Sequence, residues 1–163
     1  MNAIAKLTEA MIAYYAEDPR RVQHFLAVYG YATAISELEG LDAGTREIIA
    51  AAALTHDIGI KASIEKHGSY TASSQEEEGP PVARPMLEAL GFAPALVDRV
   101  CYLIGHHHSY AAIDGPDYQI LVEADFLVNI YGHSMEKSAI EPVKRKIFKT
   151  AAGTRFLEYL YAV

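Results

Sequence analysis

Between its prolines and glycines this chain repeats one pattern, apolar residues three or four positions apart, as on one face of successive helices. Ile4, Leu7, Met11, Ile12 and Tyr15 mark a first helix. Val22, Phe25, Leu26, Tyr29, Ala32, Ile35 and Leu38 mark a second, which opens at Asp18-Pro19 and stops at Gly40. No alternation of apolar and polar residues persists long enough to suggest a sheet. Hydrophobic residues make up 51% and charged residues 21% of 163, which suits a sizeable core rather than disorder. The expectation is a single all-α domain over residues 1–163, with about seven or eight helices.

Asp42 caps a third helix, expected over Ala43 to His56. A connector follows through Lys61, then a short helical piece from Ala62 to Lys66 and a turn at His67-Gly68-Ser69-Tyr70. Ser74 with Glu77, or Ser73 with Glu76, matches a capping box and puts Pro80 and Pro81 in a helix's first turn. That helix reaches Gly91, and Pro85 inside it calls for a bend or a different register. Pro94 opens a helix that leads into Gly105-His106-His107-His108. Three more are expected, from Tyr118 to Gly132, Lys137 to Thr150 and Thr154 to Tyr161.

The formal net charge of -7 argues against non-specific binding to nucleic acid or an anionic membrane. Lys144, Arg145, Lys146 and Lys149 read as an exposed basic helix face. The single cysteine, Cys101, lies in an apolar stretch and reads as a buried structural thiol. No apolar run approaches the ~20 residues of a spanning helix, and no signal peptide is recognisable. A soluble, cytoplasmic protein is expected.

The most informative stretch is Leu54-Thr55-His56-Asp57-Ile58-Gly59, placed at the end of the apolar run Ile48 to Leu54. An imidazole and a carboxylate delivered by a buried helix cost free energy unless something pairs with them. At a helix end both can turn toward one centre. Three other helices also place an unusual polar group near a buried face: His24, His106 or His107, and Asp125, with Asn129 one turn after Asp125. Convergence of imidazoles and carboxylates suits a divalent transition ion: zinc, manganese, iron, nickel or cobalt.

The order His, His-Asp, Asp resembles the HD-domain metal-dependent phosphohydrolase superfamily. The resemblance rests on Arg21-Val22-Gln23-His24, Leu54-Thr55-His56-Asp57-Ile58-Gly59 and Leu121-Val122-Glu123-Ala124-Asp125, and spans about residues 20–131. It implies His24, His56, Asp57 and Asp125 as core metal ligands, with His106 or His107 as a further one. Two-metal relatives place a histidine four residues before a glycine; here that position is Gln75. Glu76 or Glu78 is then the alternative oxygen ligand, and the number of ions, one or two, stays open. Lys61 is a candidate for binding substrate phosphate or pairing with Asp57, and His108 for contacting substrate. Arg20 and Arg21 lie at the start of the helix that bears His24 and could reach a phosphate; the plainer reading is a solvated helix start.

The resemblance implies hydrolysis of a phosphate ester or anhydride, of a nucleotide, by metal-bound hydroxide. Asp57 would help orient or deprotonate the water. The expected partner is a small phosphorylated molecule, with no nucleic acid or membrane, and a homodimer left open. The alternative is a metal- or nucleotide-binding sensor without turnover. No Gly-rich phosphate loop, nucleophile elbow, Cys-x-x-Cys or His-Glu-x-x-His motif is present.

Overall fold

The computed structural model describes residues 2–163. Among the described residues nine α-helices follow one another: α1 Ala3–Tyr14, α2 Pro19–Leu38, α3 Ala43–Thr55, α4 Gly59–His67, α5 Ala72–Ala89, α6 Pro94–Ile104, α7 Pro116–Gly132, α8 Lys137–Ile147 and α9 Ala151–Tyr161. A 3₁₀ turn at Tyr110–Ala112 precedes α7, and no strand occurs among the described residues. The all-α expectation therefore holds.

The core forms around α3. Ile49 and Ala51 to Leu54 are fully buried. A helix apolar on every side belongs in the interior, and its alanines let neighbours approach from several directions. α2, α1, α6 and α7 pack around it. This arrangement brings the C-terminal end of α3 between the first third of α2, at His24, and the middle of α7, at Asp125.

Helix starts follow side-chain capping. Asp18 accepts from Arg21 N at 3.1 Å and Asp42 from Thr45 N at 3.0 Å. The start of α5 differs from expectation. Thr71 is its cap and exchanges bonds with Ser74, so the box is Thr-Ser rather than Ser-Glu. Glu76, Glu77 and Glu78 therefore sit inside the helix, and Pro80, Pro81 and Pro85 lie in its body rather than its first turn.

The packing explains why so irregular a sequence stays there. A Cβ on Gly59 would lie 2.4 Å from the Gln75 carbonyl oxygen and 2.7 Å from Gly79 N. α4 and α5 thus cross backbone against backbone. A Cβ on Gly79 would in turn lie 2.4 Å from an Ile104 methyl carbon. This close contact draws Gln75 and Glu76 toward the end of α3 and the turn after α6.

The expected connector after His-Asp is itself helical from Gly59, and α4 ends at left-handed Gly68 (φ 76°). At the C-terminus, α8 stops at Ile147 and α9 begins at Ala151, three residues before the expected Thr154. Fully buried Glu123 on α7 is the cause. Its carboxylate accepts from Lys149 N (2.6 Å), Thr150 N (2.9 Å) and Thr150 Oγ1 (2.5 Å), which requires a non-helical corner there.

Candidate metal centre

The His-Asp pair occupies a tight turn between α3 and α4. Ile58 N donates to Thr55 O at 2.9 Å and Ile60 N to Asp57 O at 3.1 Å, both three residues back. Just past the end of α1, the Tyr15 hydroxyl donates to Asp57 O at 2.7 Å and pins the turn. Buried Tyr15 was legible in the sequence only as part of an apolar stripe.

Four side chains converge at this turn. His24 Nε2 lies 3.2 Å from His56 Nε2, 3.1 Å from Asp57 Oδ2 and 3.3 Å from Asp125 Oδ1. His56 Nε2 lies 3.4 Å from each of the same carboxylate oxygens. Donors ~2.0–2.1 Å from a shared ion would be separated by roughly 3 Å in octahedral and 3.4 Å in tetrahedral geometry. The donor set therefore fits a divalent cation. His56 Nδ1 is 2.8 Å from Ala53 O, a contact that makes it the N–H donor and leaves Nε2 as the lone pair. Asn129 Nδ2 donates to Asp125 Oδ1 at 3.0 Å, the helical contact expected from their spacing.

Beside this set, Asp57 turns its other oxygen toward His107. Oδ1 is 3.5 Å from His107 Nε2. His107 is 2% exposed, its Nδ1 is 2.9 Å from Ile104 O, and its buried Nε2 has no hydrogen-bond partner. A desolvated lone pair without a donor suits a second cation. Asp57, His107 and His108 form a second metal-sized group, sharing Asp57 with the group of His24, His56 and Asp57. Gln75 borders it, with Oε1 3.3 Å from His108 Nε2.

Four sequence candidates are placed elsewhere. His106 stacks on Tyr102 with ring centroids 4.1 Å apart, and its Nδ1 is 2.7 Å from Tyr102 O, so His107 is the histidine that faces Asp57. Glu76 accepts from His108 N (2.9 Å) and Ser109 Oγ (3.1 Å), holding the turn that carries the histidines. Glu78 is bound by Lys66 at 2.6 Å. The Lys61 ammonium donates to Tyr14 O at 3.1 Å and lies over the Tyr14 ring, facing α1 rather than the cluster. In each case a nearer partner, invisible to motif spacing, captures the polar group.

The electrostatics are those of a tightly paired cluster. Burial alone would raise Asp57 and Asp125. The charge on His56 and the contacts with His107 and His24 outweigh it for Asp57, and contacts with His24 and His56 do so for Asp125; both sit below the usual carboxylate range. Burial would lower His24 and His56, yet Asp57 and Asp125 hold both above the ordinary imidazole value. His108 is lowered, by burial and by neighbouring His107.

A cleft of about 890 Å³ opens onto His24, Asp57 and Asp125. Arg21, Tyr70, Phe126 and Tyr131 are among its other walls.

The HD domain family model matches residues 21–147, which contain all four converging side chains. The chain belongs to the HD domain family. The HD superfamily is a hydrolase superfamily whose domains bind divalent metals, and the His/Asp groups described above could hold one. The fold is similar to the crystal structure of a predicted HD superfamily hydrolase from an uncultured Thermotogales bacterium. The TM-score is 0.66 at 23% identity, covering 98% of this chain and 83% of that one. Among curated proteins, none matches. No helix of the described residues is long and apolar enough to cross a membrane.

Proposed function

We propose that this HD domain is a metal-dependent phosphohydrolase acting on a phosphate ester or anhydride of a nucleotide. The observation that carries the reading is the convergence of His24, His56, Asp57 and Asp125 within 3.1–3.4 Å at the floor of an open cleft. These four residues would hold one ion of Fe, Mn, Ni, Co or Zn. Asp57 Oδ1, His107 and His108 would hold a second, with neutral Gln75 at its edge as a weaker donor. A divalent ion there would supply a hydroxide nucleophile at neutral pH and polarise a phosphoryl oxygen.

The chain's own residues contribute orientation and proton handling. Ala53 O fixes the His56 tautomer, and Tyr15 fixes the backbone of Asp57. Asp57, both a ligand and a hydrogen-bond acceptor, would orient the attacking water. Tyr70, Phe126 and Tyr131 give the cleft aromatic surface for a nucleobase.

Two measurements test this. Metal analysis of protein purified without chelator, beside a His56→Ala, Asp57→Ala double variant, should show ion in the parent and little in the variant; equal content in both would overturn the ligand set. A screen of nucleoside mono-, di- and polyphosphates and cyclic dinucleotides with added Mn²⁺, Co²⁺, Ni²⁺ or Fe²⁺ should give metal-dependent product. No release from any of them would overturn the hydrolase reading.

A further inference from the structure

The mouth of the cleft carries an unusual charge arrangement for an acidic protein. Arg20 and Arg21 both line it, one helical turn before His24 on α2. Arg21 takes part in none of the ion pairs of the described residues, although the chain carries 21 acidic side chains. Its Nε is buried without a hydrogen-bond partner. Nearby Asp18 is already used, because its Oδ1 caps α2 by accepting from Arg21 N. Removing a guanidinium N–H from water without giving it an acceptor is costly and uncommon.

The guanidinium is also held in place. Its carbon lies 5.6 Å from the centroid of the Tyr70 ring, within cation–π range. Tyr70 is 46% exposed and lies just after the left-handed turn at Gly68, so it forms a rim platform rather than core. On a helix, positions three apart lie on the same face, roughly 5–6 Å between Cβ atoms. Arg21 is therefore a neighbour of the cluster, one step further out along the wall that carries His24. Among the residues that line the cleft, the buried donor without an acceptor is Arg21 Nε.

We infer that Arg21, stacked on Tyr70, is the anchor for a second anionic group of the substrate, one phosphate beyond the phosphoryl group held at the His24–Asp125 cluster. The inference rests on the phosphohydrolase reading of the same cleft and narrows it to substrates with adjacent phosphates: nucleoside di- and polyphosphates rather than monophosphates. The planar guanidinium offers a fork of donors matched to a phosphate, and Tyr131 also lines the cleft, as an aromatic surface for the base.

The test uses the full chain loaded with Mn²⁺ and compares the parent with Arg21→Gln, Arg21→Lys and Tyr70→Ala. Calorimetric titration with inorganic pyrophosphate and with inorganic phosphate reads the anchor directly, whether or not anything is hydrolysed. Arg21→Gln should weaken pyrophosphate by about 10-fold or more and phosphate by much less. Arg21→Lys should recover only part of the loss, since it keeps the charge but not the fork. Tyr70→Ala should give a smaller loss with the same preference.

Equal losses for both ligands, no loss for either, or no pyrophosphate binding by the parent overturns the anchor. In the substrate screen, Arg21→Gln should raise KM for a nucleoside triphosphate more than for p-nitrophenyl phosphate. Turnover with an unchanged KM ratio overturns the anchor and leaves the hydrolase reading standing. Arg21-dependent pyrophosphate binding with no turnover of any substrate does the reverse.

Discussion

Glu123 and Asp125 are two residues apart on α7, both buried, and face opposite sides of the helix. Glu123 is closed by the protein: two backbone N–H groups, a hydroxyl and the Gln119 amide all donate to it. Asp125 has one amide donor and otherwise faces two imidazoles that already crowd a second carboxylate. Burial and charge do not separate these residues. What separates them is the source of compensation. A carboxylate fully satisfied by ordered donors holds the corner between α8 and α9. A carboxylate aimed with other acceptors at one point is built for a cation.

Exchanging the charge at each site should split the two roles. Asp125→Asn keeps the shape and removes a ligand charge. It should lower metal affinity by more than about 100-fold, with activity falling in step, as competition with a metal-sensitive dye would show. Glu123→Gln should leave metal content near that of the parent and lower unfolding stability by about 1–3 kcal/mol in urea, since it replaces an acceptor of several donors. If Glu123→Gln loses metal while Asp125→Asn only loses stability, the comparison is wrong.

Gly59 offers a test of how packing serves the site. A Cβ there would sit 2.4 Å from the Gln75 carbonyl. Gly59→Ala should cost about 1–3 kcal/mol in thermal or urea unfolding through forced separation of α4 and α5. Gly68→Ala would strain a left-handed residue without touching the site; a Cβ there meets nothing within 4 Å. Its cost should fall nearer ~1 kcal/mol, with metal affinity retained.

The pH dependence of stability should change sign with metal. In the chelated protein His24 and His56 are raised, so their contribution is full below the unfolded value of ~6.5 and is lost as pH rises through their folded values. Asp57 and Asp125 are lowered, so theirs is present above an unfolded value of ~3.9 and is lost as pH falls through the folded ones. Chelated protein should therefore be most stable between about pH 4 and 6.5. With Mn²⁺ or Zn²⁺ present the decline above pH 6.5 should flatten or reverse, because a metal needs neutral imidazoles. Thermal unfolding across pH 4–9, with and without chelator, reads both curves. The smallest expected effect is that of Gln75→His, which should increase the metal retained after dialysis by placing an imidazole beside His108.

Much of this was legible because helical periodicity is local. The stripes on α2, α3 and α7 placed His24, His56 and Asp125 on helices whose apolar faces must meet, and the Asn129–Asp125 contact follows from spacing alone. The α5 boundary was not legible in the same way. Thr71 and Ser74 form a cap as plausible by type as Ser73 with Glu76, and the choice is made where Gly59 and Gly79 allow two backbones to touch. Lys61, Glu76 and Glu78 were drawn toward the centre by their charge, but each finds a partner outside it.

The sequence by itself determined the fold class, the helix that would be central and the residue types able to hold a cation, because periodicity, burial cost and ligand chemistry are properties of the chain. Only the tertiary structure decided which of three consecutive histidines faces Asp57, which α7 carboxylate is structural, and that Arg21 stacks on Tyr70 with its Nε buried and unpaired. Those outcomes depend on donors and acceptors brought together from distant positions, where a difference of a few ångströms decides whether a polar group is satisfied.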